Sequence, residues 1–394
     1  MASGAGRDEK GYWGPDLPKQ RAPEWVRREF IERGSDLAPL AEAMAHSRHI
    51  AIDAEFAQPK IRHPGELPHK LSLLQIAPDT EPLVSWVVDA LRISDLMPLA
   101  SALENPRIVK LFHGVGSDTR VLATRGLTPV HVIDLEAASR TVFGPRESGL
   151  QAMLKRSAGV YLDKSFQRAD WARRPLEPAM VTYAAQDAEM TLILYTWLAQ
   201  HFPWALNLFE TTGEPPRPPV AGWIAPLLEG RNAPPVEVAV ADAGLDGNTA
   251  RQIADLRAAM GAVSQPVHRA RLMRIASELD LSDLLPDIRA FASAQPAEER
   301  AAAARAFGRL RDRTAVSILR AMLEDPVFDV RSAAAFSLES MGEARPAAPA
   351  RPAPRGARPA DQRVWVTGDT PADGDDGDWR ARLRQHFGGE KPGD

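Results

Sequence analysis

Asp53 and Glu55 stand two residues apart in the run Ile50-Ala51-Ile52-Asp53-Ala54-Glu55-Phe56. The residues leading into them are apolar or β-branched, the pattern of a short buried strand. In a strand, residues two apart share a face, so both carboxylates leave one side of one strand end. Adjacent negative charges raise each other's pKa, and a hard divalent cation taking their oxygens relieves the repulsion. Taken alone, a D-x-E is more often a solvated strand end than a metal site. Two further acids change the weighing. Asp118 falls in the first turn of a helix read from Ser117 to about Ala123, where the helix dipole favours a carboxylate and simple capping also accounts for it. Asp187 lies in an apolar helix read over 178–201, one turn after Tyr183 and on the face that carries Met190 and Leu194. An inward-facing phenol and carboxylate need partners, and a structural Tyr–Asp pair also meets that need.

The four acids together form a different object. Four carboxylates with no His or Cys cluster beside them suit two Mg²⁺ or Mn²⁺ ions rather than zinc. Two such ions form the clamp used for in-line phosphoryl displacement, one activating the attacking water and the other steadying the leaving 3′ oxygen. Tyr183 is a poor bulk base, since an ordinary phenol has a pKa of about 10, and is better suited to orienting that water.

The elements that must position these groups follow an α/β pattern. Strands are read at 49–53, 71–76, 83–88, 107–112 and 130–133, with helices between and after them. Ser35-Asp36 reads as the N-cap of a helix carrying Leu37, Leu40, Ala41 and Met44, and Ser94-Asp95 as the cap of another through Leu103. This α/β domain spans 24–205. Residues 1–23 are rich in Gly, Pro and charge and read as a flexible arm. Residues 206–245 contain E-P-P-R-P-P-V and N-A-P-P-V and read as a Pro-rich linker, within which Trp223 to Leu228 would dock on the α/β domain. Residues 246–343 are helical, rich in Ala, Leu and Arg, and internally repetitive. Glu299 to Ala304 with Phe307 and Leu310 matches Val330 to Ala335 with Leu338 and Met341, at a period near thirty residues. Residues 344–394 read as a disordered tail, with a brief helix at Asp378 to Phe387.

A chain of 394 residues with 44% hydrophobic and 25% charged residues has the composition of two globular domains. Its net charge of −4 shows no global basic excess, so any grip on nucleic acid must come from a local patch. Cysteine is absent, which excludes disulfides and thiolate metal sites and fits a reducing compartment. No apolar run is long enough for a membrane span, and the first residues lack the apolar core of a signal peptide. A cytoplasmic protein with no membrane partner is expected.

Three motifs then carry a resemblance. I-D-A-E-F at 52–56, H-G-V-G-S-D at 113–118 and Y-A-A-Q-D at 183–187 resemble the three motifs of the DEDD 3′–5′ exonucleases, which have an RNase H-like fold. The Tyr-x3-Asp spacing marks the tyrosine subclass, and Thr182 stands where the histidine subclass has its His. L-S-L-L-Q-I at 71–76 and L-D-K-S-F-Q-R-A-D-W-A-R-R-P-L at 162–176 are similar to the ribonuclease D family in particular. The resemblance covers about residues 26–205. It implies an RNase H-like mixed five-stranded sheet flanked by helices, followed here by a smaller all-α domain similar to HEAT repeats. It implies that Asp53 bridges two metals, that Glu55 and Asp187 hold the nucleophile-side ion, that Asp118 supports the second, and that Tyr183 positions water. Phe56 would lie near the terminal base, with Gln75, His113, Lys164 and Trp171 on the substrate side. Gln75 and Trp171 also suit a core amide and a core aromatic, and Lys164 also suits a solvated lysine.

The implied activity is metal-dependent hydrolysis of RNA from its 3′ end to nucleoside 5′-monophosphates, in RNA processing or turnover. The same reaction on DNA, and a nucleic-acid-binding scaffold whose repeats hold a protein partner, are the competing readings. Two departures stand out: Ala54 replaces the family's usual Thr, and HEAT-like repeats replace its usual helical domain. Eight arginines of those repeats, Arg269, Arg271, Arg274, Arg300, Arg305, Arg309, Arg311 and Arg313, either line one side and track a phosphate backbone or form solvated faces with Glu298, Glu299 and Asp312.

Overall fold

Runs of alternating β-branched and apolar residues assemble into one seven-stranded sheet. The structure is a computed structural model that describes residues 6–7, 13–14, 26–58, 69–162, 165–211, 220–229 and 233–343. Most of the arm 1–23, Lys164 and the tail 344–394 with its expected helix lie outside the described residues. These residues divide into two compact units, one comprising 26–138 and 149–211, the other 139–148 and 220–343.

The sheet of the first unit contains β1 (Arg27–Ile31), β2 (His49–Ala57), β3 (Lys70–Pro78), β4 (Val84–Asp89), β5 (Val109–Phe112), β6 (Val132–Asp134) and β7 (Glu210–Thr211). Their order is β1-β4-β3-β2-β5-β6-β7. The ladders β2–β3, β3–β4 and β6–β7 are antiparallel, and β1–β4, β2–β5 and β5–β6 are parallel, so the sheet is mixed as expected. It gains one strand at each edge over the five read from sequence. β1, R-R-E-F-I, hides its pattern because the buried Arg28 interrupts the apolar alternation. β7 has only two residues, too few to show any period.

Helices α1 (Ala38–His46), α2 (Ala100–Leu103), α3 (Val115–Ala123), α5 (Leu150–Ser157), α6 (Pro178–His201) and α7 (Pro203–Phe209) flank the strands, and α4 (Leu135–Phe143) follows β6, its residues from Ser139 on belonging to the second unit. Two apolar layers hold the sheet. Ile50, Ile52, Leu74, Ile76 and Val88 pack with Leu40 and Met44 of α1 and Val121 and Leu122 of α3. Leu73 and Val87 pack with Met180, Val181, Ala184 and Ala185 of α6. Truncating a fully buried Leu such as Leu73 to Ala would cost about 2–5 kcal/mol. α6 is apolar on most faces because most of it is buried, and Ala184, Ala185 and Ala188 let it approach closely. Ser94-Asp95 does not cap α2: Asp95 Oδ1 accepts the N–H of Met97 at 2.9 Å, but a 3₁₀ turn, Met97–Leu99, stands before the helix. Ser35-Asp36 does not cap α1. A 3₁₀ turn, Gly34–Leu37, intervenes, and Asp36 is engaged by Ser35 and Arg33 instead.

The second unit contains α8 (Val236–Asp242), α9 (Thr249–Ala262), α10 (Pro266–Glu278), α11 (Leu285–Arg289), α12 (Ala297–Arg309), α13 (Val316–Met322) and α14 (Phe328–Ser340). α10, α12 and α14 begin 31 residues apart and pack in series. Arg269, Arg300 and Arg331 recur at that period. Each donates to carbonyls five or six residues before it: Val263, then Ala294 and Gln295, then Asp325 and Pro326. These arginines are committed to holding the repeats together. Gly308 lets α12 and α14 approach closely, since a Cβ there would fall 2.5 Å from Ser337 Oγ, which itself donates to Ala304 O at 2.8 Å. Trp223, Ile224, Leu227 and Leu228 are buried in this unit's own core, and Trp223 Nε1 donates to Asp255 Oδ2 at 3.0 Å. The expectation that they dock on the α/β domain is therefore corrected: their apolar side chains complete the helical core.

Candidate active site

β2 runs on past both carboxylates to Ala57, with a bulge between Glu55 and Phe56. Asp53 and Glu55 therefore sit within the strand rather than at its end, on the face that packs under α6. α6 supplies Asp187. One carboxylate oxygen from each of Asp53, Glu55 and Asp187 lies within 4.8 Å of the others, and all three groups are half-buried. Asp118, in the first turn of α3, is not one of this trio, but its charge acts on both Asp53 and Glu55. It is buried and accepts a hydrogen bond from Ser117 Oγ at 3.2 Å.

Burial and mutual repulsion mark all four groups. Burial, then Asp187, Asp118 and Glu55, hold the Asp53 carboxyl well above the ordinary range. Burial, then Asp187 and Asp118, push Glu55 up to about 8. Burial raises Asp118 and Asp187 to about 7 each, helped by Asp134 and Glu189 respectively. No lysine or arginine enters among the causes of these shifts. An oxygen-only donor set with uncompensated negative charge is the chemistry a hard divalent cation fits, and Asp53, Glu55 and Asp187 are the residues placed to hold one.

Tyr183 is half-buried one turn before Asp187. Its ring lies 6.1 Å from that of Trp171 and 6.0 Å from that of Phe166, the latter edge-on. Trp171 is buried, and so is Gln75, which pairs with Asp53 across the β2–β3 ladder. Neither amide atom of Gln75 nor Trp171 Nε1 has a hydrogen-bond partner among the described residues. Both side chains are buried beside the site with polar atoms still to be satisfied. Phe56 is half-buried at the end of β2, 6.1 Å from the His69 ring, and His113 is half-buried in the turn from β5 to α3. Lys164 lies outside the described residues.

Three polar devices missed in the sequence hold these elements in register. Arg28 of β1 donates to both oxygens of Glu189 on α6 at 2.7 and 2.8 Å, and Ser85 donates to the same carboxylate. Both partners of this ion pair are buried, and Glu189 is two residues from Asp187. Arg174 grips Asp89 with two bonds of 2.7 and 2.8 Å and donates to Trp171 O, fixing the segment that carries Trp171. Asp134 Oδ1 accepts the N–H groups of Gly114 and Glu136, pinning the turn that leads to Asp118. Gly114 itself has φ +95, and a Cβ there would meet Glu136 Oε2 at 3.0 Å, so the turn requires glycine. The available signals were charges in apolar surroundings: Arg28 in a strand and Glu189 in an apolar helix.

Residues 29–202 match a family model described as 3′–5′ exonuclease, and residues 285–352 match one described as HEAT repeats. Ribonuclease D of Escherichia coli is 34% identical over 160 residues, which is 40% of this chain and 40% of that protein. The chain carries a ribonuclease D-like 3′–5′ exonuclease domain fused to HEAT-like repeats. Exosome complex component 10 of Homo sapiens is 33% identical to the exonuclease domain over 168 residues, 42% of this chain and 18% of that protein. Among solved structures, the catalytic core of RRP6 from Trypanosoma brucei is 21% identical, with a TM-score of 0.42 over 75% of this chain and 83% of that one. The chain spans less than half the length of both curated relatives. No described helix is long and apolar enough to cross a membrane.

Proposed function

We propose that this protein is a divalent-metal-dependent exonuclease that removes nucleotides from the 3′ end of RNA as nucleoside 5′-monophosphates. The observation that carries the reading is the meeting of Asp53, Glu55 and Asp187 within 4.8 Å inside the segment that matches the exonuclease model. The name of one relative, ribonuclease D, supports RNA over DNA as the substrate.

In this reading Asp53, Glu55, Asp118 and Asp187 would hold two ions, Mg²⁺ or Mn²⁺. Bound divalent ions supply neutralising charge and polarise the water and phosphate oxygens of the displacement. The protein's own groups do the rest. The four carboxylates fix where positive charge can gather. Tyr183 orients the attacking water through its hydroxyl, held by the rings of Trp171 and Phe166. Phe56 offers a sequence-tolerant surface to the terminal base. The lack of cysteine supports a reducing, cytoplasmic setting. Digestion of 5′-labelled single-stranded RNA and DNA of one sequence, with Mg²⁺, Mn²⁺ or EDTA, tests the reading. RNA should shorten stepwise in either metal and stay intact in EDTA. Faster loss of DNA would reassign the substrate, and cleavage in EDTA would remove the metal assignment.

A further inference from the structure

The repeat period aligns side chains as well as helices. Arg274 of α10, Arg305 of α12 and Phe336 of α14 occupy the same position in successive 31-residue repeats, and all three are exposed. Phe336 is 69% exposed, the most of any large apolar side chain among the described residues. Arg305 makes no hydrogen bond or ion pair within the described residues, in contrast to the arginines that clasp the repeats. Arg274 and Arg309 share one acid, Glu278, at 3.1 and 4.0 Å. Arg271, Arg274, Arg305 and Arg309 line a cavity of about 470 Å³ floored by alanines of α10 and α12. Glu278, Glu298 and Asp329 also line it, and burial, then the neighbouring Arg274, push the Arg271 guanidinium down.

We infer that the α10–α12–α14 face of the repeats binds a single strand of nucleic acid, its phosphates on Arg274, Arg305 and Arg309 and a base against Phe336. The inference takes its ligand class from the exonuclease reading. Three observations favour a nucleic acid strand over an acidic peptide. The cations recur at the helix spacing of a repeat array, the kind of extended surface such arrays use for long ligands. Arg305 and Arg309, one helical turn apart, lie about 6 Å apart along the axis, on the order of the step between phosphates of a flexible strand. The row continues into an exposed aromatic ring, a stacking platform that an acidic peptide does not need and a base does.

The test is fluorescence anisotropy of the full chain in EDTA, with a labelled oligouridylate long enough to span the three helices. Replacing both Arg274 and Arg305 by Gln should weaken binding about tenfold or more, and should flatten the slope of log affinity against log salt by about 1.4. Phe336→Ala should weaken binding at least several-fold and leave the salt slope unchanged. All three side chains are exposed, so thermal melting should be unaltered. Hydrolysis of a trinucleotide in Mg²⁺ should match wild type in every variant. If wild type binds the long RNA through these residues yet hydrolyses nothing, the exonuclease reading falls and this surface stands. Unchanged affinity and salt slope in folded variants would overturn the inference. So would displacement of the RNA by polyglutamate as effectively as by unlabelled RNA, which would mark a surface for acidic protein.

Discussion

Carboxylates gathered without a cation oppose folding, because burial and neighbouring negative charge penalise their ionised forms. Glu55 has an ordinary value of 4.5 raised to about 8, and Asp118 and Asp187 rise from 3.8 to about 7. A raised carboxyl is neutral in both folded and unfolded chains at low pH. Between the two values the unfolded chain is ionised while the folded one resists, so stability is lost as pH climbs through the folded value. In EDTA the melting temperature should therefore fall from about pH 5 to pH 8, and Mg²⁺ at the upper end should restore it. A flat profile insensitive to Mg²⁺ would contradict the electrostatic account. Asp187→Asn should abolish hydrolysis while leaving the metal-free protein as stable or more stable at pH 8, as read by thermal melting. Tyr183→Phe keeps the ring and deletes the hydroxyl. It should lower turnover by about 10²-fold or more with little change in substrate affinity, whereas loss of stability without loss of turnover would make the tyrosine structural. The acids could be read from spacing because Asp53-x-Glu55 and Tyr183-x3-Asp187 are local patterns. The pairing of Gln75 with Asp53 was not legible, because it depends on which strand lies across from the acids and in what register.

At the scale of elements, α6 must sit in one register over the sheet for Asp187 to meet β2. The buried Arg28–Glu189 pair, seated in β1 and α6, holds that register. Arg28→Met strands a buried carboxylate and should destabilise the domain by about 3–5 kcal/mol in denaturant melts. The double variant Arg28→Met with Glu189→Leu should recover much of that loss. Failure of the second change to restore stability would show that the pair does more than neutralise itself. The same pair explains why β1 was missed. A strand is recognised by alternation, and a buried ion pair writes a charge where an apolar residue is expected. α6 was legible from its length and uniform apolar character. The shift of the carboxylates from the end of a strand to its interior was not, since β2 continues through the polar motif to Ala57 by pairing with β3. The 3₁₀ turn before α1 likewise takes the place of a cap that Ser35-Asp36 had promised.

For the whole molecule, two cores of different kinds share one chain. The exonuclease unit relies on a mixed sheet whose ladders join distant segments, and the repeat unit on neighbouring helices alone. The repeats were legible as a period near thirty, and the structure sharpens it to 31 through the matched starts of α10, α12 and α14. What the period hid was the division of labour among arginines. Arg269, Arg300 and Arg331 are spent on backbone carbonyls, while Arg305 is left to solvent. The fate of Trp223 to Leu228 was also hidden, because a Pro-rich setting does not tell which core an apolar cluster joins. The central claim is that the acid cluster drives hydrolysis from a 3′ end. Its most direct measurement is chromatographic identification of the products released from single-stranded RNA with a free 3′ hydroxyl. Wild type in Mg²⁺ should release nucleoside 5′-monophosphates one at a time, and neither wild type in EDTA nor Asp187→Asn in Mg²⁺ should release any. Oligonucleotide fragments, nucleotides carrying 3′ or cyclic phosphates, or undiminished release in EDTA would contradict it.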